Sequence, residues 1–270
     1  MIRRALAVLL ALAGCAPVAP APRAPAAARR IVSLDYCADQ YVLKLAGRDR
    51  ILAVSPDAER DFSYMRDAAR GVPRVAPRAE DVLVLKPDLV VRSYGGGPGA
   101  AEFLRAAGVP VLQLPYAEDL AGVRAAAVTV AAELGTPERG RALAAEMDAR
   151  LARLRPRADR AEALYMTPGG VTTGPGTLVA EMLAAAGLAN FQREPGWRPL
   201  PLERLARERP DVVAAASFGA AGADRWSAAR HPIARAQLRG PVVGIEGAWT
   251  ACGGWFLLDA VEALNGGVGR

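Results

Sequence analysis

Apolar runs of four to six residues alternate with amphipathic stretches along most of the chain, the pattern of buried strands separated by helices. Arg30-Ile-Val-Ser-Leu34 reads as a first strand, and Asp35-Tyr-Cys-Ala-Asp-Gln40 opens a helix with Tyr41 and Leu45 at helical spacing, ended by Gly47. Ile51 to Val54 is a second strand, followed by the polar loop 55–67 with Tyr64. Leu89 to Val91 is a third, with the loop 92–99 behind it. A helix from Glu102 to Ala107, capped by Gly108, leads into a fourth strand, Val109 to Leu114. Alternation of this kind favours a parallel sheet with helices on both faces.

Tyr116 to Leu134 then reads as a helix of mostly alanine and valine. Thr136-Pro137 starts another, with Leu143, Met147, Leu151 and Leu154 on one face until Pro156. At about 20 residues this second helix would span roughly 30 Å, a length that suits a strut between lobes. The second half repeats the scheme. Strand Ala163 to Met166 is followed by the Gly/Thr/Pro loop 167–176, helix Thr177 to Ala186, the loop 217–225, strand Val242 to Ile245, the turn 246–254 and a closing helix from Trp255 to Leu264.

One stretch ties the halves together. Glu80-Asp-Val-Leu-Val-Leu-Lys-Pro-Asp-Leu-Val-Val91 returns about 120 residues later as Glu203-Arg-Leu-Ala-Arg-Glu-Arg-Pro-Asp-Val-Val213. Each copy predicts a short helix that stops before its proline and a buried strand after it. The echo implies a duplicated α/β architecture, with an N-terminal lobe over 30–135, a connecting helix over 136–157 and a C-terminal lobe over 158–270.

The N-terminus places the protein outside the cytoplasm. Arg3 and Arg4 precede an apolar run, Ala5 to Leu12, too short to span a bilayer, and the run ends in Leu12-Ala13-Gly14-Cys15. This is a signal peptide over 1–14 with a lipobox, in which Cys15 becomes the lipidated first residue; the alternative is a plain signal peptide cut among the alanines near Ala21 to Ala28. The Ala/Pro-rich segment 15–29 reads as a tether. The expected location is the periplasm, membrane-anchored through lipid alone. The formal charge of +6 includes both leader arginines and is interspersed elsewhere, so nucleic acid is not an expected partner.

Chemistry is limited by what is missing. A single histidine, His231, excludes a multi-histidine metal site, and no Gly-x-Ser-x-Gly elbow stands near a base. Gly95-Gly-Gly-Pro-Gly99 lacks the lysine and hydroxyl of a phosphate loop. More informative are the aromatic residues at strand-end loops, Tyr36, Tyr64, Tyr94, Trp226 and Trp249, since ligands of open parallel sheets bind beyond the carboxyl ends of the strands. Trp255 reads as core. Cys37 and Cys252 fall in turns at the same rim and are expected as a disulfide or as buried thiols rather than a soft-metal site; a thiol-dependent exported enzyme using one of them is the alternative function.

With these features in order, the chain resembles the periplasmic binding proteins of ABC importers for ferric siderophores, haem and cobalamin. The resemblance is carried by Arg30-Ile-Val-Ser-Leu34, the Glu80 to Val91 unit, Leu104-x-x-x-Gly108-Val-Pro-Val111, Thr173-Gly174 with Leu183-x-x-x-Gly187, and Trp197 with Leu202-Glu203. It implies two Rossmann-like lobes with parallel central sheets, joined by one long helix around a cleft, in a monomeric, non-enzymatic protein without a resident cofactor. The ligand implied is a ferric siderophore or a corrinoid, with haem behind them, and the partner an ABC permease. The binding set implied is Asp35, Tyr36, Tyr64, Arg92, Ser93, Tyr94, Val171, Thr172, Arg225, Trp226 and Trp249. Glu80 and Glu203 match the two glutamates that dock such proteins onto permease arginines, although a carboxylate in a helix's first turn also stabilises the helix itself.

Overall fold

The computed structural model describes residues 28–155, 160–218 and 226–267. The N-terminal half contains β1 (Ile31–Ser33), α1 (Tyr36–Leu45), β2 (Ile51–Ala53), α2 (Arg66–Ala69), α3 (Ala79–Val84), β3 (Leu89–Arg92), α4 (Ala100–Ala106) and β4 (Val111–Gln113). A helical pair follows, α5 (Leu120–Glu133) and α6 (Pro137–Leu151). The C-terminal half holds β5 (Glu162–Met166), β6 (Val171–Thr173), α7 (Leu178–Ala185), β7 (Ala189–Asn190), β8 (Trp197–Pro199), α8 (Leu202–Leu205), β9 (Val212–Ser217), α9 (Pro232–Gln237), β10 (Val242–Glu246) and α10 (Leu257–Gly267).

Each half builds one four-stranded parallel sheet, ordered β2-β1-β3-β4 in the first and β10-β9-β5-β7 in the second. Read from its own first strand, each sheet places the second strand on one side and the third and fourth on the other, so the two lobes share one topology. The echoed sequence occupies the same place in both, as α3 leading to β3 and α8 leading to β9. Its Pro-Asp pair has a mechanical role that the hydrophobic pattern does not reveal. The Asp88 carboxylate accepts the backbone N–H groups of Arg29 and Arg30, both at 2.8 Å, while Asp211 accepts that of Glu162 at 2.7 Å. Each aspartate thus clamps the start of the neighbouring first strand and sets the register of the central pair.

One apolar core runs through both lobes, from Ile31 and Val42 across α5 and α6 to Phe256 and Leu264, and two smaller ones lie under the outer helices of each lobe. The helix read as a strut is shorter than expected. α6 has 15 residues, about 22 Å at 1.5 Å per residue, and lies against α5 with Leu143 and Met147 buried. Gly140 permits that approach, since a Cβ there would stand 2.5 Å from the Ala131 Cβ. The helix read from Tyr116 begins instead at Leu120, where the Asp119 side chain caps it through Gly122 N–H. The loop 167–176 contains β6, which pairs antiparallel with β8 in a small two-stranded sheet.

Candidate functional site

In both sheets the strand order reverses beside the first strand, and chain segments leaving the carboxyl ends there must part. In the first lobe Asp35 fills that parting. One carboxylate oxygen accepts Ala38 N–H at 2.9 Å as the cap of α1; the other accepts Ser93, Tyr94 and Gly95 N–H at 2.7, 3.1 and 2.9 Å. The loop after β3 is thereby fixed to the start of α1. Gly95 has to be glycine, because a Cβ would meet Leu34 O at 2.5 Å.

The two lobes are joined beside this point. Cys37, in the first turn of α1, forms a disulfide with Cys252 in the turn before α10. Neither sulfur is therefore a free nucleophile, which removes the thiol-enzyme alternative. Three tyrosines of the first lobe add cross-lobe bonds: Tyr36 donates to Ala251 O at 3.3 Å, Tyr41 to Gly253 O at 3.1 Å, and Tyr64 to the Asp259 carboxylate at 2.8 Å. Asp259 also receives Arg150 from the end of α6 at 2.6 Å, so both lobes and the connecting helix meet at one carboxylate. Burial holds the Tyr36 and Tyr41 phenols above their ordinary range and pushes Tyr64 up to about 12. These hydroxyls stay protonated at neutral pH and act as donors.

Above the disulfide opens a cleft of about 570 Å³. The first lobe supplies Ser93 and the segment 113–117, and the second supplies 176–179, Gly196, Trp197 and the turn 250–253. Two aromatic side chains stand out on its walls: Tyr116, 88% exposed after β4, and Trp197, 53% exposed at the head of β8. Trp197 rests edge-on against Tyr165, whose hydroxyl pairs with Thr250 at 3.0 Å. Thr177 caps α7 through Ala180 N–H at 3.2 Å and brings its hydroxyl to the same wall.

Of the residues read from the sequence as ligand contacts, Ser93 lines this cleft. Tyr36 and Tyr94 stand beside it, their rings edge-to-face 5.9 Å apart, with Phe62 against the far side of Tyr36. Asp35 is engaged in the capping bonds above. Tyr64 packs on Trp255 and Phe256 at the lobe junction, and Trp249 packs into the shared core. Arg92, 9% exposed, is buried, and so is Thr172; Val171 is half-buried in the β6–β8 ladder, and Trp226 is exposed without lining the cleft. Cys15 and Arg225 lie outside the described residues. The sequence reading missed Tyr116 because it was absorbed into the following alanine-rich helix; Pro115 before it and the cap at Asp119 were the signals that it stands free. Trp197 entered as part of a family pattern and was not assigned to the site.

Comparison with known proteins accounts for this arrangement. The model of the periplasmic binding protein family matches residues 31–225. The chain belongs to that family. Among solved structures the binding protein is similar to the periplasmic haem-binding protein BhuT in complex with two haems, at 26% identity and a TM-score of 0.67, over 88% of this chain and 98% of that one. It is similar also to the haem-binding protein RhuT from Roseiflexus sp. RS-1, at 25% identity and a TM-score of 0.67, over 89% and 99%. The vitamin B12 binding protein BtuF of Vibrio cholerae shares the fold at 21% identity and a TM-score of 0.61, over 88% and 95%. No curated protein matches the chain in sequence. The binding protein is periplasmic and is not an enzyme, and a cross-lobe disulfide suits that oxidising compartment. Among the described residues no helix is long and apolar enough to cross a membrane, and no three His, Cys, Asp or Glu side chains gather around a metal position.

Proposed function

We propose that this binding protein captures a metal chelate between its lobes and delivers it to an ABC import permease. The observation that carries the reading is the cleft itself, with Tyr116 projecting from one lobe and Trp197 from the other over a floor closed by the Cys37–Cys252 bridge. Two exposed aromatic faces on facing walls suit a large, flat, amphipathic ligand, and the haem and vitamin B12 of the similar proteins have that shape. Titrating the mature domain with cyanocobalamin, haemin and ferric siderophores while following tryptophan fluorescence tests it; absence of binding to all of them would remove the reading.

Delivery rests on Glu80 and Glu203. Both are exposed, each in the first turn of the echoed helix of its lobe, and so they stand at equivalent positions of two equivalent lobes. Such a pair can meet two like cationic positions on a two-fold permease. Reversing both to lysine is expected to abolish uptake while leaving ligand affinity unchanged; retained uptake would refute the docking role. Anchoring through a lipid on Cys15 belongs to the same proposal, and a Cys15→Ser chain is expected in the soluble periplasmic fraction.

A further inference from the structure

The walls of the cleft contain no charged side chain among the described residues. Among the described residues that line it there is no Asp, Glu, Lys or Arg, and the polar side chains are Ser93, Gln113, Thr177 and Thr250 with the Tyr41 and Tyr116 hydroxyls and the Trp197 indole N–H, all uncharged. The arginine nearest in sequence, Arg92, is buried next to Ser93 and does not reach the lining, and its Nε has no hydrogen-bond partner. An anionic ligand that entered would exchange its hydration for hydroxyls and amides, without a cation among the described lining residues to offset the loss. A neutral ligand faces no such penalty. Its amides or hydroxamates find partners of their own kind: Gln113 gives one N–H to Ser93 O at 2.6 Å and keeps its amide oxygen as an acceptor, and the Ser93 and Tyr116 hydroxyls can donate or accept, while that of Thr177 is held by its own loop and helix.

Resting on the chelate reading above, we infer that the cleft selects a chelate whose periphery carries no net charge, one decorated with amides or hydroxamates in place of carboxylates or catecholates. A corrinoid with intact amide side chains and a neutral ferric trihydroxamate belong to this class. Haem, with two propionates, and a trianionic ferric catecholate do not.

Matched probes separate charge from size and shape. Cyanocobalamin is compared with its monocarboxylate, in which one amide is hydrolysed, and the neutral trihydroxamate ferrichrome with ferric enterobactin, with haemin alongside. Binding to the mature domain is read from tryptophan fluorescence, for which Trp197 is the reporter in the cleft. The neutral member of whichever pair binds is expected to bind at least about tenfold tighter than its charged counterpart. Its affinity should stay within about twofold when ionic strength rises from about 0.05 to 0.5 M, because no charge pair is there to be screened. Equal or tighter binding of the monocarboxylate, ferric enterobactin or haemin would overturn the charge assignment while leaving chelate binding intact. Failure of all five probes would instead remove the chelate reading, and this inference with it.

Discussion

Asp35 is the residue whose loss should do most damage for its size. Its two carboxylate oxygens hold four backbone N–H groups, one at the start of α1 and three in the loop that carries Ser93 to the cleft. Replacing it with alanine removes a helix cap, worth about 1 kcal/mol. It also strands the buried Gly95 N–H, at about 1–3 kcal/mol, and leaves those of Ser93 and Tyr94 to water that reaches them partly. Together the cost should be about 3–5 kcal/mol. Asp35→Asn is the sharper variant, because it keeps the shape: an amide retains one acceptor oxygen and turns an NH2 toward donors on the other side, so about half the loss should remain. Urea unfolding curves with a shared slope give both values. Ligand affinity of either variant should fall as well, since the loop bearing Ser93 is no longer fixed. An Asp35→Ala protein within about 0.5 kcal/mol of the parent would show that the capping network does not hold the rim.

Reduction of the Cys37–Cys252 bridge releases a loop of 215 residues; loop-closure entropy assigns this about 5 kcal/mol, which at 2–4 °C per kcal/mol lowers Tm by about 10–20 °C. Thermal melts with and without reductant, with thiol counting to verify opening, test this, and a shift under about 2 °C would contradict it. The buried Asp39 carboxyl, in the first turn of α1, is pushed up to about 7 by desolvation while it accepts Ser55 N–H and Oγ–H. The folded state therefore binds this proton more tightly than the unfolded chain, so its contribution to stability is full below about pH 4 and is lost as pH rises through about 7; Asp39→Asn should flatten denaturation midpoints across that window. Trp197→Ala and Tyr116→Ala should each weaken the bound chelate about tenfold or more and leave urea midpoints nearly unchanged, since both side chains are largely exposed; unchanged affinity in both would place the ligand elsewhere.

The central strands were legible in the sequence because β-branched runs such as Leu89-Val-Val91 and Val212-Val213 have no other way to bury both faces. The echo showed that the halves share a plan, and the shared strand order bears this out. What escaped was whatever depends on partners distant in the chain. The two-stranded β6–β8 sheet pairs a Gly/Thr/Pro-rich segment with one that contains Pro199, so neither strand looks like one alone. The cleft is lined by six separate segments, and period and composition cannot say which loops end up facing each other. Tyr64 and Trp249 have the composition of ligand contacts, and the structure packs them into the joint between the lobes.

That joint has a consequence for how the protein is made. A chain crossing a membrane as a thread delivers Cys37 first, and the whole first sheet, complete at Gln113, can form before Cys252 arrives. Through that interval Cys37 is a thiol without its native partner in an oxidising compartment, open to pairing with any other sulfur. The correct bridge therefore comes late, after the second lobe has settled on the first and brought the turn before α10 against α1. The floor of the cleft is then among the last parts of the molecule to be completed, and competence to hold a ligand should appear together with the loss of the Cys37 and Cys252 thiols.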